Sequence, residues 1–90
     1  MKRIKLTQNA YYVGGEYRLH TEGGDLSKTV LNGYYTASAV DEEGNEYSIY
    51  WSIANREAFD AGDEDCCNWE NPEEVYSWED KKPINAEIIE

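Results

Sequence analysis

The residues able to do covalent or acid–base chemistry are few and scattered. His20 is the one histidine, and the two cysteines, Cys66 and Cys67, are adjacent. A Ser–His or Cys–His nucleophile needs a base within reach and a third group to orient it, and no local spacing here supplies that set. Asp63, Glu64, Asp65 and Glu70 surround the cysteines with negative charge. Such a field raises a thiol pKa and opposes thiolate formation. Vicinal cysteines rarely bridge each other because the ring is strained, so reduced thiols are expected. Gly14-Gly15 and Gly23-Gly24 match neither the phosphate loop nor the dinucleotide fingerprint. The expectation is a non-enzymatic protein without a cofactor.

Metal chemistry is also poorly served. A structural zinc site takes four Cys or His ligands at paired spacing, and this chain has two cysteines and one distant histidine. Asp63, Asp65 and Glu74 stand at relative positions 1, 3 and 12 of a calcium loop. Position 5 is then Cys67 and position 6 is Asn68, where an EF-hand needs glycine for its sharp turn. No metal ligand is assigned. Paired carboxylates for glycoside hydrolysis carry no signal, because 19 acidic residues in 90 make some pair inevitable.

Recognition remains. Residues 1–45 hold five cations and six anions, and residues 46–90 hold three cations and thirteen anions, so nearly all of the net charge of −11 lies in the second half. The acidity is densest from Asp60 to Asp80, where Trp69 and Trp78 are interleaved, with Trp51, Tyr47, Tyr50 and Tyr76 nearby. Aromatic rings among carboxylates suit the grip of Arg and Lys: the ring takes the cation's face and the carboxylate its donors. The candidate partner-binding residues are Asp63, Glu64, Asp65, Trp69, Glu70, Glu73 and Glu74. The competing readings are a solvated acidic face and aromatics that simply fill the core of a small protein.

The expected function is therefore an acidic interaction module docking on a basic protein surface, such as that of a nucleic-acid-binding protein. One form is a nucleic-acid mimic, with carboxylates where phosphates would sit. Small size, strong acidity and abundant aromatics make the composition similar to that of phage- and plasmid-encoded inhibitors, including anti-CRISPR and anti-restriction proteins, though no diagnostic motif assigns a family. The alternative is a cation- or small-ligand-binding module centred on residues 60–74. Direct nucleic-acid binding is excluded by the charge, since phosphates need a basic face. No apolar run approaches the roughly 18 residues of a membrane span. Lys2, Arg3 and Lys5 have no apolar stretch behind them, so no secretory leader is expected, and the expected location is cytoplasmic.

These residues must be positioned by a small scaffold. Ninety residues make a single domain, 1–90, and a 13% aromatic share argues against a disordered tail. The fold expected is mainly β: a small antiparallel barrel or strongly curved sheet with one or two short helices, with α+β as the alternative. Tyr47, Ile49, Trp51 and Ile53 alternate with Ser48, Tyr50 and Ser52, which predicts a half-buried strand. With Tyr34–Val40 before it and the acidic, glycine-containing 41–46 loop between, it forms a hairpin. Trp51 is expected in the core and Trp69 partly exposed. Gly14-Gly15, Gly23-Gly24 and Asn32-Gly33 read as turns, and the segment from Asp25 to Asn32 is ambiguous.

Asn55 caps about one helical turn. Asn71-Pro72 is a helix start, although Glu74–Trp78 is equally strand-like. Lys81-Lys82-Pro83 breaks the chain before a last strand in which Ile84, Ala86 and Ile88 alternate. Arg3 and Lys5 on the first strand match Glu87 on the last, with Glu90 nearby. Opposite charges across strands attract modestly, so the two end strands are predicted to lie side by side and close the sheet.

Overall fold

A computed structural model describes residues 2–20 and 26–89. Seven strands form one sheet: β1 (Lys2–Leu6), β2 (Tyr11–His20), β3 (Leu26–Asp41), β4 (Glu46–Ser52), β5 (Glu74–Ser77), β6 (Lys82–Ile84) and β7 (Ala86–Ile89). A five-residue helix α1 (Arg56–Asp60) and a 3₁₀ turn (Glu64–Cys66) lie between β4 and β5. The fold is mainly β, as the alternation predicts, and the Asn71 segment leads into strand rather than helix.

Strand order is β6-β5-β4-β3-β1-β7, with β2 paired to β3 off this path. The first and last strands of that order are joined by Asn85 alone. Laid flat, the six strands would be roughly 24 Å wide at the usual strand spacing. The Ile84–Ala86 link spans at most about 7 Å. The sheet must therefore curl, and it does so as a half-barrel. β6 and β7 do not hydrogen-bond to each other, so both remain edges. β1 and β7 do lie side by side, with Arg3 opposite Glu87. Their pairing is parallel, the one parallel pair among the described residues in a sheet otherwise expected, and found, to be antiparallel. Glu90 lies outside the described residues.

The concave face is the core. Ile4, Ala37, Ala39, Tyr47, Ile49, Trp51 and Val75 are buried there. The register explains the set: Ala37 faces Ile49, Ala39 faces Tyr47, and Ile49 faces Val75. Small residues on β3 leave room for the rings on β4.

Three glycines behave differently from expectation. Gly14-Gly15 and Asn32-Gly33 are not turns; both lie inside continuous strands. Val13 pairs with Tyr34 and Glu16 with Asn32, so two glycines on β2 oppose one on β3. This is a β-bulge, which bends and twists a strand pair. Gly33 takes φ +78°, a left-handed value that side chains with a Cβ resist. The turn expected at Gly23-Gly24 lies outside the described residues. Beyond the bulge, the β2–β3 arm swings over the convex face: Tyr17 stacks on Tyr50 with ring centres 3.7 Å apart and planes within 10°. The break expected at Lys81-Lys82-Pro83 falls instead at Asn85: Lys82 and Pro83 belong to β6. The single last strand expected over Ile84, Ala86 and Ile88 is two, Ile84 ending β6 and Ala86 starting β7. The missing N–H of Pro83 is tolerated because β6 is an edge strand.

The β3–β4 hairpin is fastened at Asp41. Its carboxylate accepts the N–H groups of Glu43 and Asn45, the Asn45 amide and the Tyr47 hydroxyl, at 2.8–3.1 Å. Burial pushes the Asp41 carboxyl up, but those hydrogen bonds outweigh it and hold the group well below the usual carboxylate range. A depressed native pKa contributes stability that is complete above the unfolded value, about 4, and is lost as pH falls toward the native one. Asp41→Asn is therefore expected to lower the melting temperature at pH 7, with the gap to the parent narrowing steadily below about pH 4. At Gly33 an added Cβ would sit 2.6 Å from the Tyr12 hydroxyl, whose ring packs on Tyr35 and Phe59 and would have to shift. The cost of Gly33→Ala then combines the left-handed backbone and that shift: urea unfolding should show a loss of at least about 1–2 kcal/mol. Gly15→Ala, with nothing within 4 Å, should cost less than about 1 kcal/mol.

Candidate functional site

The acidic segment is firmly held. Asn55 caps α1 by accepting the Ala58 N–H at 3.1 Å, as its sequence position predicts. The Ala54 and Asn55 N–H groups both donate to the Cys66 carbonyl, at 2.7 and 3.0 Å. The Trp51 indole donates to the Trp69 carbonyl at 3.1 Å, and the Glu73 N–H to the Tyr50 carbonyl at 2.8 Å. Cys66 and Cys67 point inward and join the core cluster, with Phe59 and Trp69 packed against it. The segment thus lids the concave face, apolar side down.

Its charges face outward. Glu57, Asp60, Asp63, Glu64, Asp65, Glu70 and Glu73 are all exposed. Among the described residues none of these seven forms an ion pair. Asp63 caps the 3₁₀ turn by accepting the Asp65 N–H at 3.0 Å. Glu73 accepts the Ser52 hydroxyl at 2.8 Å. The neighbouring cation Arg56 lies over the Phe59 ring, 5.1 Å from its centre.

Trp69 is half-buried. Its indole N–H donates to the Glu64 carbonyl at 2.6 Å, and its ring meets Trp51 and Tyr35 edge to face, with centres 5.2 and 5.3 Å apart. Trp51 is buried.

Glu74 differs from the other six candidate residues. It is buried on the convex face, opposite Tyr50 in register. It accepts the His20 backbone N–H at 2.6 Å and the Tyr17 hydroxyl, and the His20 ring Nδ1 lies 3.3 Å away. Burial and then the bond to Glu74 push the Tyr17 hydroxyl far above its ordinary pKa, so it stays a donor. This cluster ties the β2–β3 arm to the sheet across more than fifty residues. Nothing local in the sequence joins Tyr17 and His20 to Glu74. The one signal was Tyr50, a large ring on the polar side of its strand's alternation, which requires a cover.

The Cys67 thiol is quiet for a different reason than the acidic neighbours suggested. Burial first, then the adjacent Cys66 at an Sγ–Sγ distance of 3.7 Å, pushes the Cys67 thiol up to about 12. His20 is engaged with Tyr17 and Glu74 rather than a cysteine. Among the described residues, no three His, Cys, Asp or Glu side chains come together as metal ligands, and no helix is long and apolar enough to cross a membrane.

Two larger cavities adjoin the segment and share Glu70, Asn71 and Ala86. One, of about 730 Å³, runs from His20 and Glu74 to β6. The other, of about 850 Å³, opens between Trp51, Trp69 and the free edge of β7. Comparison with protein families, curated proteins and solved structures finds no match for this chain.

The clamp on the arm has a measurable consequence. Glu74→Ala removes the charged acceptor of the half-buried His20 N–H and of the Tyr17 hydroxyl and should cost about 2–3 kcal/mol in urea unfolding. Tyr17→Phe should cost about 1 kcal/mol, and in the double variant the two losses should overlap rather than add. Strict additivity would mean that the two groups do not act together.

Proposed function

We propose that this protein is a non-enzymatic interaction module that docks the acidic outer surface of residues 57–73 onto a basic surface of a partner protein. The supporting observation is that seven exposed carboxylates, without ion-pair partners among the described residues, sit on a backbone pinned to the core by hydrogen bonds from Trp51, Ala54, Asn55 and Glu73. A charged loop that is already ordered loses little conformational freedom on binding. Its carboxylates keep the water and counterions that a cationic partner can displace. A nucleic-acid-binding protein offers such a surface, and in that case the carboxylates stand in for phosphates.

The test is capture from a lysate with the immobilised protein and, in parallel, with the variant D63K/E64K/D65K. The captured protein is then purified and titrated at two salt concentrations. The reading predicts a basic partner whose affinity falls at least about tenfold both on charge reversal and on raising salt from about 0.05 to 0.5 M. A partner indifferent to the three reversals, or no partner at all, overturns it.

A further inference from the structure

The partner's point of attachment is a separate question, and the cavity beside Trp69 bears on it. We infer that the cavity between Trp51, Trp69 and β7 receives a single arginine side chain of the basic partner. This inference rests on the docking reading above and names its anchor.

The walls fit that side chain part by part. Leu6 and Ile88 supply an apolar floor, suited to the aliphatic stem of an arginine. Trp51 and Trp69 line one side, with ring centres 5.2 Å apart. Both indole N–H groups are already spent on backbone carbonyls, those of Trp69 and Glu64. Trp51 is buried and backs the half-buried Trp69, so what the pair still offers is the π surface of Trp69, which attracts cations and repels anions.

At the rim stand Glu70 and Glu87, both exposed and, among the described residues, without an ion-pair partner. A planar guanidinium can lie against an aromatic ring and present two N–H groups to one carboxylate, which an ammonium cannot do. Among the described residues Lys5 is the only cation lining the cavity, so the lining itself is net negative, with Arg3 of β1 standing outside it, opposite Glu87. The chain already makes one contact of this kind, Arg56 on Phe59.

The probe is N-acetyl-arginine amide, with N-acetyl-citrulline amide as its uncharged counterpart, each titrated into the full chain at low salt. The readout is the indole N–H signals of the three tryptophans in ¹H–¹⁵N spectra. The arginine compound should move the Trp51 and Trp69 signals with a dissociation constant on the order of millimolar, as expected for one isolated side chain. The citrulline compound should bind at least severalfold more weakly. Trp78, outside the cavity, should not move. Glu70→Gln should weaken binding about fivefold, and Lys5→Gln should tighten it about twofold. Both positions are exposed, so neither variant depends on repacking the core.

Equal binding of the citrulline compound, weaker binding to Lys5→Gln, or no movement of Trp51 and Trp69 at tens of millimolar probe overturns the anchor. If the anchor fails while D63K/E64K/D65K still abolishes partner capture, the docking reading stands alone. If arginine binds as described but the captured partner ignores the reversals, the cavity is an arginine site and the docking reading falls.

Discussion

The fold depends on one short connection. Asn85 alone separates the strands at opposite ends of the sheet's order, β6 and β7. No flat sheet of this connectivity can be built, because the gap to be bridged is several times what one residue spans. Curling gives the sheet a concave face, and that face collects the buried side chains from Ile4 to Val75. A convex face is the other consequence. It carries Tyr50, Glu74 and Tyr76, which in an open sheet would have been wet.

Each face then has its own cover. The concave face is closed by the segment between β4 and β5, which turns Cys66, Cys67, Phe59 and Trp69 inward and its carboxylates outward. The dense negative charge costs self-repulsion. Holding the carboxylates on the solvent side of a pinned backbone keeps that repulsion in high dielectric, where it is small. The convex face is closed by the β2–β3 arm, bent back at the glycine bulge. Here the fold accepts a buried carboxylate. Glu74 is tolerable because a backbone N–H and a tyrosine hydroxyl replace the water it loses. Acidic residues four positions or fewer apart in the sequence, Glu70, Glu73 and Glu74, thus end in different environments: two meet solvent and one fastens the arm.

What could be read from the sequence was local or periodic. The alternation of Tyr47, Ile49 and Trp51 specified a strand and its inward face. Asn55 marked a helix cap. The matching charges of Arg3 and Glu87 pointed to end strands that lie side by side, where the two residues are opposite in register without forming an ion pair. Glycine was misleading because it serves turns and bulges alike. Gly14-Gly15 and Gly33 are distinguished from turns only by their placement opposite each other, a long-range fact. The same limit applies to the candidate site. The outward carboxylates and the half-buried Trp69 follow from composition and position. The fate of Glu74 was decided by residues 54 and 57 positions away, and the aromatic cavity is assembled from β1, β4, β7 and the acidic segment.

The parallel pairing of β1 with β7 also bears on how the molecule carries force. The two strands run in the same direction through four paired positions, from Lys2–Ala86 to Lys5–Ile89. A tension applied between residues 2 and 89 pulls on the start of one strand and the finish of the other, so the strands are drawn past each other lengthwise. The hydrogen bonds between parallel strands are evenly spaced, so they share such a load together. A pull at the same end of both strands would instead open them one at a time, like a zip. Through this pair, the small sheet is built to resist stretching along its own ends.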